Sequence, residues 1–310
     1  MDAVSRLKDE GKIEIIDVLG PTVLAFNEAM NNDLSAITGV QRSTFKYGTE
    51  ERRQLDIYYP PTIQSSKTPV LFWIYGGGFV SGDRVLPLPS LSYPNVGAFF
   101  ARQGAIMVVP DYRLASPPMS AQYPKPVEDI RDAVQWIIAN RDKLISQTTP
   151  NPDTDNIFML GHSAGAVHLA TLLLEPEVLA VNSPLRSKMR GVVLLAGYYY
   201  YDPRSQLDEH FELYYGDKQE SHSALTLLRS AKSKGLNTLP NILFGESEWD
   251  PPIVDEIRRK FQHELETFLQ RPVKHLIAKR HNHISICAAL SSGQGEEWAL
   301  EVMDWIRSLA

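Results

Sequence analysis

Cysteine is nearly absent from this 310-residue chain. Cys287 stands alone, so no intrachain disulfide can form. Asn-x-Ser/Thr acceptors with a permitted middle residue are also missing. Both absences favour a reducing, intracellular compartment. Long apolar runs are lacking: a stretch such as 192–196 suits a buried strand and falls far short of a membrane span. Residues 1–20 carry scattered charges instead of the apolar stretch of a signal peptide, so the expected location is the cytoplasm. No block of like charge and no basic patch accompanies the net charge of −6, which argues against nucleic acid as a partner. Repeats and low-complexity linkers are absent too.

What remains is the pattern of a globular α/β protein. Short apolar runs at 43–47, 54–59, 70–75, 105–110, 156–161, 191–196, 240–245 and 273–278 read as eight strands. Leu71-Phe72-Trp73-Ile74 and Ile106-Met107-Val108-Val109 are apolar throughout, as central parallel strands covered on both faces are. Helical periodicity lies between the runs: Val127, Ile130, Val134, Ile137 and Ile138 share a face, as do Ile257, Phe261, Leu265 and Phe268, and then Trp298, Val302, Trp305 and Leu309. Residues 164–174 are apolar nearly all round, which predicts a buried helix. Such alternation gives a mostly parallel sheet wrapped by helices in one domain spanning 1–310. Two stretches break the alternation, a helical 1–39 and an aromatic-rich 198–239. Both are expected to form a cap.

Gly161-His162-Ser163-Ala164-Gly165 sits between an apolar strand and that apolar helix. A nucleophilic serine needs a sharp turn that exposes its hydroxyl, and small residues two before and two after allow strand and helix to pack closely. The helix dipole then favours negative charge developing at Ser163. Upstream, a strand ends in Gly76-Gly77-Gly78-Phe79. Glycines let backbone N–H groups approach an oxyanion, so Gly77, Gly78 and Ala164 are the expected hole.

With the serine in place, an acid and then a base are expected further along the chain. Asp250 follows a strand and precedes a proline-led helix, with Glu246 and Glu248 as competitors. His283 and His281 both lie beyond the last strand. The apolar residues resuming after His283 favour it. A metal is not expected, because no carboxylate or cysteine set accompanies the two histidines at ligand spacing. Aromatic and neighbouring residues suggest a substrate pocket of Phe79, His162, Tyr198, Tyr199 and Trp249.

At these residues the chain resembles the hormone-sensitive-lipase-like branch of the α/β-hydrolases. The matching motifs are Gly76 to Gly78, Gly161 to Gly165, Asp250-Pro251 and His283, together with Asp111-Tyr112-Arg113-Leu114. Tyr75 stands where that branch usually has histidine, and the loop 73–79 is there similar to cholinesterase-type carboxylesterases. The Ile-Ser-Ile after His283 is similar to kynurenine-formamidase-like hydrolases. The resemblance implies an α/β-hydrolase fold and a cofactor-free serine carboxylesterase using Ser163, His283 and Asp250. The expected partners are a small-molecule ester of small to medium acyl group and, in a homodimer, a second copy of the chain. An aryl formamidase is the alternative. A non-catalytic binder, as some relatives of that branch are, is disfavoured by an intact Ser-Asp-His set.

Overall fold

The computed structural model describes residues 1–86, 91–205 and 207–309. Eight strands form one sheet: β1 (Arg42–Lys46), β2 (Gln54–Tyr58), β3 (Thr68–Ile74), β4 (Ile106–Pro110), β5 (Pro152–His162), β6 (Met189–Leu195), β7 (Asn241–Trp249) and β8 (Lys274–Asn282). Their order is β1-β2-β4-β3-β5-β6-β7-β8. β2 runs antiparallel to both its neighbours and every other pairing is parallel. The apolar runs of β3 and β4 lie in the interior, as their composition requires: 71–74 and 106–109 are all fully buried.

β7 and β8 run four residues beyond the apolar stretches that announced them. The extension crosses charged residues, Glu246 and Glu248 on one strand and Lys279 and Arg280 on the other. The ladder shifts register there, between Ser247 and Trp249, and the charges are paired. Glu246 accepts from Arg258 Nε at 2.6 Å, and Glu248 accepts from the Arg280 N–H at 2.7 Å.

The ladder registers decide where the chemistry-bearing loops meet. Ile74 lies beside Gly161, His162 beside Leu195, and Trp249 beside Asn282. One or two residues further on, the parallel strands of the sheet release Gly76, Ser163, Asp250 and His283 at the same edge.

The helix Ala164–Leu174 is buried along its whole length and packs on β5 and β6. The helix Lys125–Ala139 packs against it with the predicted face of Val127, Ile130, Val134 and Ile137 inward. The helices Asp2–Asp9 and Ile15–Asn31 pack on each other; the first reaches β8 and the second the short helix Ser285–Ala288. Residues 198–239, of which Gln206 lies outside the described residues, hold the helices Asp208–Tyr215, Gln219–His222 and Ala224–Ser230. Phe211, Tyr214 and Tyr215 of the first close on Phe79, with the Tyr214 ring stacked on it at 4.4 Å. Among the described residues no helix is long and apolar enough to cross a membrane.

His168 lies inside this aromatic packing, 0% exposed, with its rim against Phe79, Tyr112 and Tyr214. Its Nδ1 meets the Tyr214 hydroxyl at 3.2 Å, and its Nε2 has no partner. Burial pushes its pKa down to about 3. Below the ordinary histidine value the unfolded chain therefore binds a proton that the folded chain refuses. Stability should fall as pH drops from about 6.5 towards 3, at most ~1.4 kcal/mol per pH unit from this group. His168→Phe should flatten that slope, read as the change in urea midpoint between pH 7.5 and pH 5. An unchanged slope would remove His168 as its source.

Candidate active site

Ser163 takes φ 53° and ψ −120°, a conformation that non-glycine residues rarely adopt. The strain is held from both sides. The Ser163 N–H donates to the Leu195 carbonyl at 2.8 Å, and the Ser163 carbonyl accepts from Ala166 and Val167 in the first turn of the helix. A Cβ on Gly161 would come within 2.6 Å of the Gly165 carbonyl oxygen, and one on Gly165 would overlap the carbonyl oxygen of Ile74. The turn is therefore a feature that only small residues permit.

Asp250 and His283 are joined by a 2.8 Å hydrogen bond from His283 Nδ1 to Asp250 Oδ1, with both side chains almost fully buried. Asp250 Oδ2 accepts the Ser247 N–H at 2.8 Å, which fixes the carboxylate. A carboxylate can only accept, so Nδ1 carries a proton, and in the neutral imidazole the lone pair is on Nε2. That Nε2 is buried and has no partner among the described residues. No hydrogen bond joins it to Ser163 Oγ in this conformation.

The competing residues are occupied elsewhere. His281 donates from Nε2 to the Gly295 carbonyl at 2.7 Å, and its Nδ1 meets Ser285 Oγ at 3.0 Å. Both ring nitrogens are spent on holding the loop. Glu246 is ion-paired with Arg258, and Glu248 with Lys279.

The loop after β3 carries Gly77 at φ +121° and Gly78 at φ +58°. Among the described residues, the N–H groups of Gly77, Gly78 and Ala164 donate to nothing else in the chain. They are free for an oxyanion. The loop is held by Tyr75, which takes the place of the usual histidine. Its hydroxyl donates to Asp111 Oδ1 at 2.7 Å and accepts from Arg52 at 3.0 Å, and its ring stacks on Tyr112 at 4.7 Å. Asp111 also accepts from the Arg84 N–H at 2.6 Å and from the Arg84 guanidinium. Burial and nearby Asp83 push the Asp111 carboxyl up, against the pull of Arg52, Tyr75 and Arg84.

With this geometry in hand, comparison with known proteins is informative. The BD-FAE family model matches residues 55–178. Fumonisin B1 esterase from Sphingopyxis macrogoltabida is 30% identical over 140 residues, covering 41% of this chain and 24% of that protein. Probable carboxylesterase 7 from Arabidopsis thaliana is 26% identical over 208 residues, covering 66% of this chain and 60% of that protein. The chain thus spans less than two thirds of either relative's length. The solved structure of esterase Est22 is 16% identical and superposes with a TM-score of 0.72, covering 99% of this chain and 92% of its own. The chain has the fold of the α/β-hydrolases and, over part of its length, is similar in sequence to carboxylesterases.

The pocket residues expected of this α/β-hydrolase separate into two groups. Tyr198 meets the His283 ring edge-on at 6.2 Å, and His162 approaches the same ring at 4.8 Å. Burial and the charges of Asp250 and Glu14 push the Tyr198 hydroxyl up. Trp249 is half-buried, paired with Asn282 and packed beside Ala288 and Ile284. Tyr199 turns the other way, stacking on Phe261 at 4.2 Å and meeting Phe244 edge-on, so it packs a helix to the sheet. Phe79 is likewise consumed by the aromatic packing described above. Sequence reasoning missed two neighbours of the glycine loop. The His210 ring lies where a Gly78 side chain would stand, its pKa lowered by burial, and Tyr93 stacks on Tyr75 at 5.5 Å. Neither belongs to a motif; each arrives through a long-range contact.

The loop geometry predicts different fates for the two histidines. His283→Ala should abolish labelling of Ser163 by a fluorophosphonate probe. His281→Ala should keep labelling while lowering the melting temperature by roughly 2–4 °C, because the Gly295 carbonyl and Ser285 lose their partner. Loss of labelling in a folded His281→Ala protein would reverse the assignment.

Proposed function

We propose that the chain is a serine carboxylesterase working through Ser163, His283 and Asp250. The observation that carries this reading is the combination of a strained Ser163 with a neighbouring His283 whose Nδ1 is bound to Asp250 and whose Nε2 is left unpartnered. In the first half-reaction His283 Nε2 takes the Ser163 proton as Oγ attacks the acyl carbonyl carbon. The N–H groups of Gly77, Gly78 and Ala164 hold the resulting oxyanion, and Asp250 stabilises the charged imidazole. The C–O bond to the alcohol breaks, and the alcohol leaves with the proton from His283. Water then cleaves the acyl-enzyme by the reverse proton path. No metal or other cofactor takes part in this scheme.

In this reading residues 1–39 and 198–239 cover the site of a single domain. Esters of small or medium acyl group are the expected substrates, since Tyr198 and His162 crowd the base and Phe211, Tyr214 and Tyr215 fill the space beside Phe79 with protein. The buried Cys287, whose thiol is pushed well up by burial, needs no oxidising compartment and is consistent with a cytoplasmic enzyme.

Two measurements test the proposal. Ser163→Ala should lower kcat on an aryl acetate by about 10⁴-fold or more; retention of a tenth of the activity would sink the nucleophile assignment. A chain-length series of aryl esters, with a formylated aniline beside it, should favour short and medium acyl esters. A rate that climbs steadily to long-chain acyl groups with activation at an oil–water interface would make the protein a lipase, and a preference for the anilide would make it a formamidase.

A further inference from the structure

His162 is the last residue of β5 and the neighbour of Ser163. Its ring is nearly parallel to that of Trp73, at 8° and 6.5 Å, and lies 4.8 Å from the His283 ring. Both its nitrogens are buried, and neither makes a hydrogen bond of normal geometry among the described residues. A residue that only filled space against Trp73 would do so better as phenylalanine, which strands no polar atoms. The position of the orphaned Nδ1 is informative. The point that a Gly76 side chain would occupy is 2.9 Å from Ser163 Cβ and 3.3 Å from His162 Nδ1. Gly76 therefore places no side chain between the serine and the unpartnered imidazole, and the ring of His283, whose Nε2 is also unpartnered, lies 4.8 Å from that of His162.

We propose that His162 holds the water that hydrolyses the acyl-enzyme, an inference that rests on the ester-hydrolase reading above. One hydrogen of the water bonds to His162 and the other to His283 Nε2. The water oxygen attacks the acyl carbon, forming a new C–O bond, and its proton passes to His283. The tetrahedral oxyanion then collapses, the bond from the acyl carbon to Ser163 Oγ breaks, and Oγ recovers the proton from His283 as the carboxylic acid leaves. To accept from water His162 must be neutral. Burial, reinforced by the His283 charge, holds its pKa well below the ordinary value, and a weak pull from the main chain of His283 does not offset this. A neutral imidazole also lets His283 carry its transient charge without repulsion. Acylation requires no water, so His162 acts in the second half-reaction only.

The test separates the two halves. The rate of phosphonylation by a fluorophosphonate probe reports the attack of Ser163. The decay of the acetyl-enzyme formed from p-nitrophenyl acetate, followed by intact-protein mass spectrometry, reports the attack of water. In His162→Phe phosphonylation should stay within ~3-fold of the parent while acetyl-enzyme decay slows by ~30-fold or more. His162→Gln, which keeps an acceptor oxygen, should recover decay to within ~10-fold of the parent. Should the phenylalanine variant not fold, His162→Leu carries the same comparison. A parallel fall in both rates would mean that His162 acts by positioning His283, and an unchanged decay that it only packs; either result overturns the proposal. If the parent protein is neither phosphonylated nor acetylated, the ester-hydrolase reading falls first and this inference with it.

Discussion

A side chain on Gly165 would have to share space with the carbonyl oxygen of Ile74 and would lie 2.6 Å from that of Tyr75. This close approach of a helix N-terminus to the end of β3 is the contact on which the rest of the site depends. It brings the first turn of the helix Ala164–Leu174 against the strand that leads into the glycine loop. Ser163 is thereby left at the crest, in a backbone conformation it would not choose alone. Backbone-to-backbone contacts of this kind have no soft side chain to yield, so the position of Ser163 relative to the end of β3 is fixed by the fold itself.

The glycine loop gains its rigidity differently, through buried charge. Asp111 gathers a tyrosine hydroxyl, an arginine N–H and an arginine guanidinium, and Arg84 continues to Asp56 at 3.2 Å. Removing water from a carboxylate is costly, and the raised pKa direction at Asp111 records that cost. The cluster persists because the Asp111 oxygens are satisfied. Losing one partner of such a set typically costs about 3–5 kcal/mol, since the other charge is left buried and unpaired. With Tyr75 in place of the more usual histidine, the hydroxyl reaches past the loop into this cluster and ties β3 to the segment after β4. The loop is anchored from beneath by ions and from above by the stack of Phe79 on Tyr214.

Much of this was legible in the sequence. The central strands such as β3 and β4 were legible because burial on two faces writes a continuous apolar stretch, whereas β1 alternates between half-buried and exposed positions. The serine turn was legible because its packing demands glycine at two fixed positions. Asp250 and His283, favoured in the sequence, are hydrogen-bonded to each other, and only in three dimensions is it visible that Gly295 and Ser285 occupy the two nitrogens of His281. The ends of β7 and β8 were hidden because Glu246, Lys279 and Arg280 look like loop residues until their ion pairs are known. Tyr198 and Tyr199 read alike in sequence, yet adjacent positions face opposite ways, one to the base and the other to Phe261. His210 and Tyr93 left no signal, because a residue that reaches a site across the fold shares no motif with it.

His283 follows β8, and β8 is the outermost strand of the sheet. An edge strand has a ladder on one side only, so His283 hangs from the least supported part of the scaffold. The N-terminal helices supply the missing support. Asn282 Nδ2 donates to Thr22 Oγ1 at 3.0 Å, Arg280 reaches Ser5 at 3.1 Å, and the helix Ile15–Asn31 packs on the turn that follows His283. These helices belong to the periphery, whereas Ser163 stands over the middle of the sheet. Warming would therefore loosen the outer clamp before it melts the centre, so that His283 leaves its place while Ser163 still holds its own.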